Sequence, residues 1–114
     1  MIPEKVKVGG REYKISFPYC FQDNAQVLYG LHDPGQLSIR LSEVDESGNK
    51  RSEFALLQTF LHEILHAVDY VYNQGTVTRQ TDGERIIDQL AEGLLQVLRD
   101  NALDFSNQSE VTTC

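Results

Sequence analysis

The residues of this chain that could do chemistry are His62, Glu63 and His66, which together form the pattern H-E-x-x-H. They lie in a segment whose apolar spacing predicts an α-helix, where side chains four positions apart project from one face, one turn apart. Two imidazoles in that arrangement can bind one metal ion. Glu63 lies on a neighbouring face, where its carboxylate could take a proton from a water that the metal activates. The pattern therefore predicts a zinc site that supports hydrolysis.

A catalytic zinc site needs a third protein ligand and one open position. The candidates downstream of the motif are Asp69, Asp82, Glu84, Asp88, Glu92, Asp100 and Asp104. Glu84 has the best predicted geometry, because it lies at the start of a second predicted helix, within about 60° of the apolar position Ile87 on a helical wheel. Glu92 is rotated toward solvent on the same helix. We therefore expect Glu84 to be the third ligand.

Two aspartates are predicted to support the ligands. Asp88 follows Glu84 by one helical turn, where it could accept a hydrogen bond from the second ring nitrogen of a ligating histidine. Asp69 lies less than one turn beyond His66, and its short side chain is poorly placed to complete a tetrahedron. We expect Asp69 to contact a ligand indirectly or to carry a surface charge.

Two helices are predicted to carry these residues. The first spans about 51–73, and its apolar residues recur at spacings of three and four: Phe54, Leu57, Leu61, Ile64, Leu65, Val68 and Tyr72. Gly75 follows as a predicted C-terminal stop. The second helix spans about 83–102 with Asp82 as its N-cap, and its predicted apolar stripe is Ile87, Leu90, Ala91, Leu94 and Leu98.

The N-terminal third predicts a small β-sheet. Residues 4–17 alternate apolar and polar side chains around Gly9-Gly10, which is typical of a hairpin. A short strand is predicted at 25–31, a turn at 32–35, and a half-buried strand at 36–42 that places Leu37, Ile39 and Leu41 on the core and Ser38, Arg40 and Ser42 in solvent. The expected class is α+β, with three to four antiparallel or mixed strands packed on two helices. One domain is expected over 1–105, with a flexible tail at 106–114.

Composition limits the possible partners. The chain carries 10 Lys and Arg against 17 Asp and Glu, a net charge of −7, and such a surface disfavours nucleic acid. The N-terminus shows no signal peptide, and no apolar run approaches a membrane span. Cys20 and Cys114 do not form a disulfide framework. A cytosolic location with no membrane contact is expected.

The run H62-E63-I64-L65-H66 followed by E84-R-I-I-D88 resembles the gluzincins, zinc metallopeptidases with a glutamate third ligand on a separate helix and an aspartate four positions later. At this length the chain is most similar to minigluzincins and to small metallopeptidase-like proteins of phages and prophages. The resemblance covers strand 36–42 and both helices. It implies a minimal zincin-like domain in which strand 36–42 forms the rim of a cleft, with a peptide or protein substrate lying extended along it.

The resemblance implies a metallopeptidase in which Zn²⁺ is held by His62, His66 and Glu84, and Glu63 is the general base. The residues available to stabilise an oxyanion are Tyr19, Tyr29, His32, Tyr70 and Tyr72; of these, Tyr70 is expected on the helix surface, Tyr72 in the core and His32 in a turn. The thiol of Cys114 could reach the open metal position as an autoinhibitor, or the tail could simply be disordered. Two other classes stay open: a zinc-stabilised binding or regulatory module without catalysis, and a metal-dependent nucleic-acid hydrolase, which the acidic charge disfavours.

Overall fold

A hairpin opens the sheet, as the Gly9-Gly10 pair predicts. The computed structural model describes residues 2–21 and 29–103. In it, β1 (Lys5–Val8) pairs antiparallel with β2 (Arg11–Ser16), and Val8 lies opposite Arg11 across the turn. The predicted hairpin is therefore confirmed.

The sheet is completed by β3 (Gly30–Asp33) and β4 (Ser38–Leu41), in the order β1-β2-β4-β3. β4 runs parallel to β2 and antiparallel to β3, so it has hydrogen-bonded neighbours on both sides. The expectation that strand 36–42 forms the rim of a cleft is therefore wrong, because β4 is an interior strand. Within the described ranges the outermost strand on this side is β3.

β3 also corrects two local predictions. His32 and Asp33 were expected in a turn at 32–35 but belong to β3, and the turn begins at Pro34. Of the strand predicted at 25–31, only Gly30 and Leu31 lie in β3, and residues 25–28 lie outside the described part of the chain. The Pro-Gly pair at 34–35 indicated a turn correctly, but sequence did not show how far the preceding strand extends.

The interior position of β4 explains its burial. Ile39 and Leu41 are fully buried, as their alternation predicts, but Ser38 and Ser42 are also buried instead of meeting solvent. The Ser42 hydroxyl donates to the Val44 carbonyl at 3.0 Å, which offsets the cost of burying it. Leu37 precedes the strand with a φ of 49° and is only partly buried. The core joins side chains of β1, β2 and β4 to Phe60 and Ala67 of the first helix.

The first helix, α1 (Glu53–Asn73), begins two residues later than predicted because Ser52 is its N-cap. The Ser52 hydroxyl accepts a hydrogen bond from the backbone N–H of Ala55 at 3.1 Å. At the other end Gln74 takes the left-handed conformation, and the N–H of Gly75 bonds to the carbonyl of Asp69. The predicted stop near Gly75 is confirmed, with the left-handed turn beginning one residue earlier.

α1 does not bury the single apolar stripe that its sequence predicts. The residues that are buried are Phe60, Glu63, His66, Ala67 and Asp69. Three members of the predicted stripe, Phe54, Val68 and Tyr72, are instead exposed. The reason is that α1 contacts both the sheet and a second helix, so burial is divided between two faces. The polar residues Glu63, His66 and Asp69 are buried as well, which the apolar spacing of α1 does not predict.

The second helix, α2 (Gly83–Asp100), packs on α1. Its buried residues are Gly83, Ile87, Ala91 and Leu95, a spacing of four, whereas Leu90 and Leu94 of the predicted stripe are exposed. Asp82 does occupy the N-cap position, but its side chain makes no capping hydrogen bond and instead pairs with Arg85 at 2.7 Å. The helix ends at Asp100, two residues before the predicted end.

These elements form a small α+β domain with a four-stranded mixed sheet and two helices, which confirms the predicted class. Among the residues that the structure describes, no helix is long and apolar enough to cross a membrane. The predicted tail at 106–114 and the Cys114 alternative lie outside the described residues, and the domain boundary near 105 stays a prediction. Cys20 is a free, exposed cysteine.

Candidate metal centre

Three side chains from two helices converge at one point. His62 and His66 project from α1, and their Nε2 atoms lie 3.2 Å apart. The Glu84 carboxylate, from the first turn of α2, places Oε1 2.5 Å from His66 Nε2 and 3.3 Å from His62 Nε2. These three residues could hold a metal ion. Sequence spacing predicts the same three.

The ring orientation of His62 is set by Asp88. His62 Nδ1 lies 3.2 Å from Asp88 Oδ1, one helical turn beyond Glu84 on α2. A carboxylate only accepts hydrogen bonds, so Nδ1 must carry the proton and donate it. In the neutral ring the lone pair then lies on Nε2, which faces the convergence point. Asp88 occupies the place that sequence reasoning expected.

The ring of His66 is oriented by a residue that sequence reasoning missed. His66 Nδ1 lies 3.0 Å from the Thr78 hydroxyl, and that hydroxyl donates to Asp69 Oδ2 at 2.7 Å. Since the hydroxyl proton is used toward Asp69, the Thr78 oxygen must accept from His66 Nδ1–H. The lone pair of a neutral His66 therefore also lies on Nε2. Asp69 acts on the ligand indirectly, through Thr78.

When both rings are neutral, the convergence point is thus surrounded by electron-pair donors. With both rings neutral and protonated on Nδ1, two imidazole lone pairs and a carboxylate oxygen lie within 3.3 Å of one another, with no proton between them. Such an arrangement repels itself unless a cation lies between the atoms. Tetrahedral zinc with bonds near 2.0–2.1 Å separates its ligand atoms by roughly 3.3 Å. Two of the three separations fit that value, and the exposed Glu84 side chain can adjust the third.

Glu84 is ionised in this environment. Burial of the carboxylate opposes its charge, but contacts with His66 and His62 outweigh burial and lower the pKa of Glu84. Its side chain is 77% exposed, compared with 13% for His62. The acidic ligand therefore lies on the solvent side of the cluster, and the two histidines lie on the protein side. This arrangement leaves room for a further group on the solvent side.

Glu63 lies beside this cluster but is not part of it. The side chain is buried, with 7% of its surface exposed. Burial raises its pKa to about 7, partly offset by the charge of His62, while the charge of Glu84 raises it further and a hydrogen bond from the backbone N–H of His32 lowers it. A carboxylate with a pKa near neutrality can both accept and release a proton.

β3 presses closely against Glu63. A Cβ atom on Gly30 would lie 2.7 Å from Thr59 Cγ2 and 3.0 Å from Glu63 Oε2. Any larger side chain at this position would therefore displace the carboxylate. Together with the His32 N–H, the backbone of β3 holds Glu63 from one side. In the sequence, the one indication of this close approach between β3 and Glu63 is the glycine at position 30.

His32 is a strand residue that forms part of the same wall. Its Nε2 lies 2.8 Å from the hydroxyl of Tyr13, and its ring meets Tyr70 edge-on at 5.8 Å. Burial lowers the pKa of His32 to about 4, and the charge of His66 lowers it as well, while Asp33 raises it. The imidazole is therefore neutral near pH 7 and lines a small pocket with Glu63 and His66.

Asp69 is buried and held by a dense set of donors. Its carboxylate accepts hydrogen bonds from the Thr78 hydroxyl and backbone N–H, both at 2.7 Å, from the Asn73 amide at 2.8 Å and from the Val77 N–H at 3.2 Å. Burial alone would raise its pKa, but these bonds dominate and lower the pKa to about 2. Asp69 therefore anchors the 76–78 segment to α1.

The remaining residues considered from sequence do not join the cluster. Within the described residues the possible metal ligands that converge are His62, His66 and Glu84 alone, so Asp82, Glu92 and Asp100 are outside it. Asp104 and Cys114 lie outside the described ranges. Tyr72 is 70% exposed, so the expectation that it packs in the core is wrong, whereas Tyr70 is exposed as expected. Tyr29 lines a pocket beside the cluster.

A pocket of about 330 Å³ opens beside the cluster. Its floor includes His62 and Glu63, its α2 side carries Glu84 and Asp88, and Gly30 of β3 borders it. At the end away from the cluster it reaches Arg51, which sequence reasoning did not consider, and Thr59. The pocket therefore joins the candidate metal ligands to a cationic side chain.

Comparison with protein-family models, with curated proteins and with solved structures gave no match to this chain.

Proposed function

We propose that this protein is a zinc-dependent peptidase whose metal is held by His62, His66 and Glu84. The observation that carries the proposal is the convergence of His62 Nε2, His66 Nε2 and Glu84 Oε1 beside the buried carboxylate of Glu63. Two histidines and one glutamate are a donor set of catalytic zinc sites, which keep one coordination position open. The exposure of Glu84 supports an open position on the solvent side.

Glu63 is the general base in this proposal. When bound, Zn²⁺ supplies Lewis acidity that polarises a carbonyl and makes water nucleophilic near neutral pH. Glu63 takes the proton of the attacking water on a carboxylate oxygen and then delivers it to the leaving amine. Without a metal, burial raises the pKa of Glu63 to about 7, so its carboxyl group can gain or lose a proton near neutral pH. The His32 N–H and the tight approach of Gly30 hold the carboxylate in place.

The ligand orientation supports the same function. Asp88 and Thr78 each accept the Nδ1 proton of a histidine, so both Nε2 lone pairs are fixed toward one point before any ion arrives. In this proposal Glu84 and Asp88 take the roles that the gluzincin resemblance implies for them. Membership of that family and a cytosolic location are parts of the proposal.

The substrate in this proposal is a peptide or protein. The pocket beside Glu63 is bordered by Gly30 of β3, the outermost strand among those described, so an extended chain can lie along it. The carboxylates of Glu63, Glu84 and Asp88 line the same pocket. These carboxylates and the net charge of −7 on the whole chain disfavour binding of a phosphate backbone. We therefore favour peptide over nucleic acid.

The proposal is tested by Glu63→Gln, with Glu53→Gln as the matched control in the exposed first turn of the same helix. Zinc content and hydrolysis of a mixed peptide library, followed by mass spectrometry, are measured on the same samples. We expect the wild type and Glu53→Gln to cleave, and Glu63→Gln to retain zinc but lose at least about a hundredfold in rate. Bound zinc without cleavage in the wild type would instead favour a non-catalytic binding module.

A further inference from the structure

Three contacts hold Arg51 in the pocket that contains Glu63. Its Nη2 donates to the Thr59 hydroxyl at 2.8 Å and to the Ala55 carbonyl at 3.3 Å, both on α1. The guanidinium lies over the ring of Tyr29, 4.2 Å from its centroid. Three separate contacts therefore fix the position of this cation, although it lies just before the helix begins.

One nitrogen of this guanidinium has no partner. Nη1 is buried and makes no hydrogen bond with the chain as described. The nearby acidic side chains are engaged elsewhere: Asp45 accepts from the backbone N–H groups of Ser47 and Asn49, and Glu43 pairs with Lys50. An unpaired donor on a buried cation is costly, and a carboxylate is the group that best satisfies it.

The pocket is electrostatically divided. Glu63, Glu84 and Asp88 lie at the end where the metal ligands converge, and Arg51 is the Lys or Arg side chain found at the opposite end. A bound dication would largely neutralise the acidic end. A substrate group that reaches Arg51 therefore meets a guanidinium whose Nη1 has no hydrogen-bond partner among the described residues. The polar side chains of Gln58 and Thr59 line the pocket beside it.

We propose that Arg51 is a specificity-determining residue that receives a carboxylate of the substrate close to the cleaved bond. The inference rests on the proposed peptidase function and adds a substrate class to it. The carboxylate belongs either to an Asp or Glu side chain or to the C-terminus of the peptide, since both present the same planar pair of oxygens to a guanidinium. Because Nη1 is buried, a carboxylate in the pocket reaches it when the guanidinium turns from its contacts with Thr59 and Ala55.

The first test is binding, and it does not depend on turnover. N-acetyl-glutamate α-amide and its glutamine counterpart are titrated into ¹⁵N-labelled protein, and the Arg51 Nε–H resonance, assigned by its loss in Arg51→Lys, is followed by NMR. A third probe, N-acetyl-alanine with a free carboxylate, represents a C-terminus. We expect one of the two carboxylate probes to bind at least about tenfold more tightly than the glutamine probe.

The second test is selectivity in cleavage. Internal Glu and Gln peptides, and a peptide with a free C-terminus, are compared by kcat/KM in the wild type, in Arg51→Gln and in Arg85→Gln, which removes the same charge from an exposed position on α2. We expect about tenfold selectivity for a carboxylate in the wild type and in Arg85→Gln, and none in Arg51→Gln.

The outcomes separate the two proposals. Equal binding of all three probes, or no perturbation of Arg51 by any of them, would overturn the role of Arg51, even where the enzyme cleaves peptides. A selective response of Arg51 to a carboxylate without any peptide cleavage would leave the anion site in place and contradict the peptidase. Because the probe comparison uses the wild type, it stays decisive if Arg51→Gln fails to fold.

Discussion

The hydroxyl of Thr78 lies 3.0 Å from His66 Nδ1 and gives its own proton to Asp69, so a threonine outside both helices sets which nitrogen of His66 faces the metal ligands. This contact joins three parts of the chain that are separate in sequence. Asp69 anchors the 76–78 segment, Thr78 orients His66, and His66 meets Glu84. The geometry of one ligand therefore depends on the connection between the helices.

Replacing Thr78 by Val is expected to weaken zinc binding about 10- to 100-fold, because His66 loses the acceptor that keeps its proton on Nδ1. Thr78→Ser keeps the hydroxyl and should bind zinc within about threefold of the wild type. Competition with a chromophoric chelator measures both affinities. Equal zinc affinity in Thr78→Val and Thr78→Ser would show that the hydroxyl does not orient the ligand.

The low pKa of Asp69 predicts a specific loss of stability in acid. Its folded pKa of about 2 lies below the usual aspartate value of 3.8, so the ionised carboxylate stabilises the fold above pH 4, and this contribution disappears as pH falls toward 2. The full contribution is about 2 kcal/mol, of which about half should be lost by pH 3.

Urea unfolding of metal-free protein at pH 5 and pH 3 measures this effect. The wild type should lose about 1 kcal/mol more unfolding free energy between these pH values than Asp69→Asn, which has no charge to titrate. Asp69→Asn should be less stable than the wild type at pH 5, because an amide accepts fewer of the donors from Thr78, Asn73 and Val77. Parallel pH dependence in the two proteins would refute the assigned hydrogen-bond network.

Gly83 allows α2 to begin close to the preceding loop. A Cβ atom there would lie 2.3 Å from the backbone carbonyl oxygen of Val77, so Gly83→Ala must move the first turn of α2 and with it Glu84. We expect this substitution to lower stability by about 1–3 kcal/mol and to weaken zinc binding. Thermal unfolding and zinc titration provide the two measurements.

Gly93→Ala is the matched control, since its Cβ would meet no atom within 4 Å in the same helix. Alanine should stabilise an exposed helical position by roughly 0.5–1 kcal/mol and leave zinc affinity unchanged. If Gly83→Ala also bound zinc as the wild type does, the first turn of α2 would not control the position of Glu84.

Local spacing was enough to predict which three residues converge as a possible metal site, but not their surroundings. His62 and His66 follow from the period of a helix, and Glu84 and Asp88 follow from one turn of the next helix, so each pair is set by local geometry. Thr78 could not be found in this way, because its position depends on how Asp69 folds the connecting loop. One available signal was Thr76-Val77-Thr78, which follows Gly75 directly and places two hydroxyl groups close to the end of α1.

The errors about burial and the sheet have a tertiary cause. The stripe predicted for α1 assumed one packing partner, but the helix contacts both the sheet and α2, so Phe54 and Tyr72 are exposed while Glu63 is buried. The alternation around Ile39 indicated a strand but not its place in the sheet, which depends on long-range pairing with β2 and β3. Arg51 was missed because the pocket it lines exists only after β3 packs on α1.

The zinc stoichiometry of protein purified without added metal tests the central claim most directly, with the wild type compared with Glu84→Ala and with Glu92→Ala as the matched control on an exposed position of α2. We predict about one zinc per chain in the wild type and in Glu92→Ala, and a loss of at least about a hundredfold in affinity in Glu84→Ala. Equal zinc content in the wild type and Glu84→Ala would remove Glu84 from the coordination sphere. Absence of metal from the wild type, even after incubation with Zn²⁺, would contradict the metal centre itself.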